Sequence, residues 1–133
     1  MAIITGTDGD DKYPYGTELR GTNGDDQMYG LAGSDCLVGF DGDDLLEGGP
    51  GADELWGGYG FDTASYQGSA SPEGVYVLLS YADGTDFGDA SGDRLHEIEG
   101  VIGSAFGDLL QGSAGANVLR GGGGDDQVNG LHG

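Results

Sequence analysis

Residues 30–62 read GLAGSDCLVGFDGDDLLEGGPGADELWGGYGFD, with Gly at 30, 39, 48 and 57 and Asp at 35, 44, 53 and 62. A glycine and a carboxylate return every nine residues, with little that is large between them. The period starts earlier, with GTNGDDQMY from 21, and continues through GLAGSDCLV, GFDGDDLLE, GGPGADELW and GGYGFDTAS. In all five units positions one and four are Gly and position six is Asp. Position eight is apolar throughout, as Met28, Leu37, Leu46, Leu55 and Ala64. Five consecutive units in one register identify a repeat architecture.

The pattern fixes what each unit can do. Six residues with two glycines form a tight turn whose backbone can visit positive φ. The three that follow, polar or variable around one apolar side chain, form a short strand with that side chain pointing inward. Two units close one coil, and coils stacked at roughly 4.8 Å build two parallel sheets over the position-eight residues. Stacked turns then bring position-six carboxylates and glycine carbonyls together as cages of oxygen. Hard oxygen ligands in a flexible turn select calcium over metals that prefer thiolate or imidazole.

A second block follows: GSAFGDLLQ from 103, GSAGANVLR from 112, GGGGDDQVN from 121 and the stub GLHG from 130. Its position-eight residues are Leu110, Leu119 and Val128, and its position-six residues Asp108, Asn117 and Asp126. Phe106 stands where the first of these units should have glycine, and Asn117 replaces a carboxylate. Upstream, GTDGDDKYP from 6 carries Gly6, Gly9 and Asp11 in the same places, but YGTELR breaks the register before residue 21. Residues 1–20 therefore read as a degenerate repeat capping the open end of the stack, 21–65 as the first block, 66–102 as an insert and 103–133 as a truncated second block. Val75–Tyr81 in the insert reads as a strand that returns, through the polar ADGTDFGDASGD, to a second strand over Leu95–Ile102. Tyr66, Tyr76, Tyr81 and Phe87 are expected to pack over the repeats. Asp83, Asp86, Asp89 and Asp93 are expected to form a solvated loop.

Composition narrows the partners. The chain has 133 residues, 31 of them Gly and only one Trp, with 24 acids against 4 Lys and Arg for a net charge of −20. That balance repels nucleic acid and anionic membrane and attracts cations. No apolar run exceeds Val75–Leu79, far short of a bilayer span, and MAIIT has no basic n-region of a cleavable signal. One buried apolar side chain per unit falls well below the entropy cost of ordering nine residues, so the ion-free chain is expected to be largely unfolded and metal binding to supply folding free energy.

Catalytic patterns do not fit. HEIEG at 96 lacks the second His of a zincin helix, Lys12 follows no phosphate-binding loop, and no G-x-S-x-G elbow occurs. DGDD at 8 and 41 begins like an EF-hand but lacks the closing Glu. The lone Cys36, at position seven, is expected to face outward as an exposed thiol.

GFDGDDLLE and GGPGADELW resemble the nonapeptide of the RTX, or haemolysin-type, calcium-binding repeat proteins, G-G-x-G-x-D-x-U-x. The resemblance implies an all-β fold, a right-handed parallel β-roll with an inserted hairpin-like segment and calcium in its turns. It also implies a bacterial protein secreted by a type I system, whose carboxy-terminal signal would account for the absent amino-terminal one. The chain stops inside a unit at Gly133, which reads as a boundary within a larger secreted protein.

By position the resemblance makes ligands of Asp26, Asp44 and Asp62 along one side of the roll, Asp35 and Asp53 along the other, and Asp108 and Asp126 in the second block, with Asp11 in the cap. The second register, run backwards, puts Glu99 at position six beside the Asn117 turn. Carbonyls at positions two and four would complete the cages: Thr22, Gly24, Leu31, Gly33, Phe40, Gly42, Gly49, Gly51, Gly58, Gly60, Gly122 and Gly124. Adjacent turns give about five calcium ions. The position-five acids Asp25, Asp43 and Asp125 read as solvated. The function implied is a non-catalytic calcium-binding module that folds outside the cell. The alternatives are a calcium-dependent carbohydrate-binding or adhesin module facing a polysaccharide or cell surface, or an accessory module of a secreted hydrolase, lyase or epimerase.

Overall fold

The computed structural model describes residues 1–12, 17–80 and 85–131. Nearly all its regular structure is strand. One wall is a six-stranded parallel sheet of β1 (Ile3–Thr5), β3 (Gln27–Tyr29), β5 (Leu45–Glu47), β7 (Thr63–Ser65), β11 (Gly100–Ile102) and β13 (Val118–Arg120), in that order. The facing wall has two parts. The first is the parallel sheet of β2 (Leu19–Arg20), β4 (Cys36–Asp41), β6 (Glu54–Tyr59) and β10 (Arg94–His96). The second runs β9 (Thr85–Asp86), β8 (Tyr76–Leu78), β12 (Leu109–Gln111) and β14 (Gln127–Asn129), with only β9 antiparallel. The architecture is the all-β parallel roll that the repeat implies. Among the described residues no helix is long and apolar enough to cross a membrane.

The nine-residue period appears as register. Gln27 lies beside Leu45, Leu45 beside Thr63, Cys36 beside Glu54 and Leu109 beside Gln127, each one coil of two units apart. Met28, Leu46, Ala64 and Val101 from one wall meet Leu37, Leu55, Leu95, Val77 and Leu110 from the other in a single core. Burial fades toward the carboxy-terminal coil, where Leu119 is partly covered and Val128 is 49% exposed, because no further coil lies over it among the described residues. At the other end β1 and β2 form the first coil, pairing with β3 and β4.

The insert departs from expectation. The hairpin partner of β8 is β9 rather than Leu95–Ile102, and that second segment is two strands in opposite walls. Leu95 and Val101 both point into the core from these walls, and a turn through Glu97, at φ 55°, carries the chain across. β8 itself is shorter than the expected Val75–Tyr81. Tyr66 is buried in the core, Tyr76 is half-buried and Phe87 is exposed, so packing over the roll holds for the first two only. Tyr81 and Asp83, the side chain of Asp86, Tyr13 and His132 lie outside the described residues.

Two local expectations also change. β4 and β6 run on through their turns, pairing Phe40 with Gly58 and Asp41 with Tyr59, rather than stopping after three residues. Cys36 is buried, not exposed, and burial pushes its thiol up to about 11. Desolvation dominates and the flanking carboxylates of Glu18 and Glu54 add to it, which disfavours the thiolate needed for disulfide exchange.

Candidate metal centre

Each turn ends in a position-six side chain that folds back into the roll. Asp26, Asp35, Asp44, Asp53 and Asp62 are all at most 2% exposed, a rare state for carboxylates unless they are partnered. Part of the partnership is a ladder of backbone bonds. Asp26 N–H donates to Asp44 Oδ1 at 2.8 Å, Asp44 N–H to Asp62 Oδ1 at 2.9 Å, and Asp62 N–H to Glu99 Oε2 at 2.9 Å. On the other side Asp11 N–H donates to Asp35, Asp35 N–H to Asp53 and Asp53 N–H to Asp93, each at 2.8 Å. Asp108 N–H reaches Asp126 at 3.0 Å, and Asn117 Nδ2 donates to the Glu99 carbonyl at 3.2 Å. One oxygen of each carboxylate thus clamps the backbone of the preceding coil.

The second oxygen divides the turns into two kinds. Where position two is Thr or Ser, its N–H turns inward. Thr7 N–H donates to Asp11 Oδ2 at 2.6 Å, Thr22 N–H to Asp26 Oδ2 at 2.5 Å, Ser104 N–H to Asp108 Oδ2 at 2.6 Å, and Ser113 N–H to Asn117 Oδ1 at 2.7 Å. Where position two is Leu31, Phe40, Gly49 or Gly58, φ is +80°, +86°, +98° and +115°. In those units Oδ2 of Asp35, Asp44, Asp53 and Asp62 is buried without any hydrogen-bond partner. The backbone at position two decides whether the carboxylate is satisfied from within its own turn.

Position-one glycines serve a purpose other than turn flexibility. Gly30, Gly39, Gly48 and Gly57 are absent from the positive-φ residues. A Cβ at Gly39 would strike Asp44 Oδ2 and lie 2.6 Å from the Gly57 carbonyl oxygen, and one at Gly30 would lie 2.5 Å from Asp35 Oδ2 and 2.6 Å from the Gly48 carbonyl. The missing methyl leaves a cradle bounded by a carboxylate and a carbonyl. Positive φ is used at position two, as above, and again at position four, at Gly33, Gly42, Gly51, Gly60 and Gly124. There the turns stack backbone on backbone: the carbonyls of Leu31, Gly33, Phe40 and Gly42 lie directly against Gly49, Gly51, Gly58 and Gly60, and Gly122 and Gly124 sit over Ser104 and Phe106. Thr22 and Gly24 differ, since the Thr22 hydroxyl binds the Gly24 carbonyl and Asp26 and draws both into the capped turn.

Electrostatics follow the same division. Burial raises Asp35 and Asp44, lifts Asp62 to about 6 and Asp53 to about 7, with neighbouring carboxylates adding to the shift and the ladder N–H groups opposing it. Asp26 goes the other way, lowered first by the Thr22 N–H. An orphaned, desolvated carboxylate oxygen beside a carbonyl cradle fits a hard divalent cation, which would supply the countercharge that burial withholds. Among the described residues no three carboxylates, imidazoles or thiolates converge on one point. Most ligands of each ion would therefore come from turn carbonyls, which suits calcium and not zinc.

Three acids fall outside their expected places. Asp93 does not belong to a solvated loop; it is 1% exposed and stands at the position-six step after Asp53. The signal was in GDASGDRLH, 88–96, which has Gly88 at position one, Asp93 at six and Leu95 at eight, with Ser91 masking the pattern at four. Its Oδ2 accepts the buried Tyr66 hydroxyl at 2.9 Å, and burial holds it at about 8. The position-five acids are not merely solvated either. Asp43 N–H donates to Asp25 and Phe61 N–H to Asp43, an outer ladder parallel to the inner one.

The chain matches the family described as the RTX calcium-binding nonapeptide repeat over residues 17–39, 38–63 and 102–133, more than half its length. The matched segments hold the position-six residues from Asp26 to Asp62 and from Asp108 to Asp126, and omit most of the insert. A search of the curated proteins finds no match.

Proposed function

Because this chain belongs to the RTX calcium-binding nonapeptide repeat family, we propose that it is a calcium-binding module of a secreted protein whose roll assembles as calcium arrives. The family supports the calcium and the secreted setting, and it is a calcium-binding repeat rather than a catalytic one. The observation that carries the folding role is the set of four buried, partnerless Oδ2 atoms on Asp35, Asp44, Asp53 and Asp62. Their charge opposes assembly until a cation neutralises it, so ion binding and coil stacking are one equilibrium. Those four turns take ions first, held by the position-six carboxylates and the carbonyls of Leu31, Phe40, Gly49, Gly58 and their position-four glycines. The turns of Asp11, Asp26, Asp108 and Asn117 close with their own N–H groups and contribute clamps. Low cytosolic calcium would keep the chain extended for export by a type I system, and external calcium would fold it.

Far-UV circular dichroism during calcium titration, with magnesium alongside, tests this. A cooperative gain of β signal with calcium alone supports the reading, since magnesium demands tighter octahedral geometry. Full β structure in chelator would overturn it.

A further inference from the structure

We propose that the outer face of the β2-β4-β6-β10 sheet carries a binding groove for a cationic, polyhydroxylated ligand of the amino-sugar class. The groove measures about 560 Å³, within the range of small-ligand sites. Its floor is aromatic: Trp56 and Phe40 are each 37% exposed and Tyr59 is 82% exposed. His96 stacks on Trp56 with ring centroids 3.8 Å apart and planes 15° apart. The imidazole thus holds the indole from the β10 side, while β4, with Val38, flanks it from the other. Phe40 keeps its exposed ring at φ 86°, where its register partner is Gly58. A bulky residue retained in a conformation that favours glycine points to a use for its side chain.

The rim sets the charge. It consists of Glu18, Glu54, Asp41 and Glu97, and among the described residues no lysine or arginine lines the groove. Arg20 meets Glu18 at 3.0 Å and His96 meets Glu54 at 3.3 Å, while Asp41 and Glu97 have no ion pair among the described residues. Aromatic faces accept the C–H face of a pyranose or a cation, and a rim of acceptors suits hydroxyl and ammonium donors. Phosphorylated or uronate ligands are repelled by the same carboxylates. A quaternary ammonium would leave those acceptors unused, and a peptide strand finds no free sheet edge in the groove floor. The proposal needs the folded roll but not any particular number of ions.

Trp56 is the only tryptophan, so its fluorescence reports this groove alone. The experiment titrates the calcium-loaded chain, slightly below neutral pH, with a glucosamine oligomer, its N-acetylated counterpart and a uronate oligomer. Far-UV circular dichroism on the same samples shows whether the roll is folded, which separates failure of the groove from failure of calcium-driven folding. Saturable change with the glucosamine oligomer, weakened about tenfold or more by Tyr59→Ala and by Glu97→Gln with the β signal intact, is expected. No saturable change in the folded protein overturns the proposal. So does equal binding of the N-acetylated or uronate oligomer, or indifference to both substitutions.

Discussion

At the scale of single residues, the carboxylates differ in what satisfies them. Asp44 has a ladder N–H on one oxygen and nothing on the other, whereas Asp26 is closed by Thr22. Two substitutions separate charge from geometry. Asp44→Asn removes the charge while Phe40 keeps its positive φ, and is expected to lose one ion and raise the calcium midpoint severalfold. Leu31→Thr places at position two the residue type that caps Asp26, and is expected to lose one ion while lowering the calcium requirement. Ion counting by calorimetry beside the dichroism titration reads both. Tyr66 makes the complementary case: its hydroxyl supplies Asp93 Oδ2 with the partner that the four orphaned oxygens lack. Tyr66→Phe should cost about 1–3 kcal/mol in thermal or denaturant unfolding at saturating calcium, because it removes a hydrogen bond to a buried carboxylate. No loss would mean that the insert does not rely on this bond.

At the scale of elements, the period predicts the strands, and burial tells which of them matter. Leu46 is fully buried between coils, so Leu46→Ala should cost about 2–5 kcal/mol. Val128 holds the same position in β14 but is half exposed, and Val128→Ala should change the unfolding midpoint little. Much of this was legible in advance, since the apolar eighth residues mark the core and the sixth residues mark the stacked turns, with Glu99 placed beside the Asn117 turn. What stayed hidden has physical causes. Leu95 and Val101 sit too close in sequence for two nine-residue units, so the segment looked like one strand; only a shortened turn through Glu97 lets both face the core. Asp93 was hidden because Ser91 stands where the glycine belongs. The capped and orphaned turns differ by Thr or Ser against Leu, Phe or Gly at position two, but the meaning of that difference was hidden, because it acts through the sign of φ, which Leu31 and Phe40 adopt against their own preference.

Across the whole molecule the buried acids couple folding to pH. Asp62, Asp53 and Asp93 sit at about 6, 7 and 8 in the folded roll, against about 3.9 in an unfolded chain. Between these limits the folded state holds protons that the unfolded state has released, so the stability of the ion-free roll is greatest at the acid end and falls as pH rises toward about 8. Protons and calcium compete for the same oxygens. Chelated protein should therefore gain β signal on acidification from pH 8 to about 5, and the calcium needed for folding should be lower at pH 5.5 than at 8, because protons already neutralise part of the buried charge. Flat behaviour in both measurements would show that the buried carboxylates are not what holds the apo chain open. The insert has a bearing on assembly as well. A stack of near-identical coils has translational degeneracy: a coil laid down one step out of place buries the same kind of leucine and clamps the same kind of carboxylate. The stretch from Tyr66 to Phe87 has no counterpart elsewhere in the chain. There β8 lies between β9 and β12, and Tyr66 meets Asp93. The least repetitive part of the sequence is thus the index mark that counts the repeats into register.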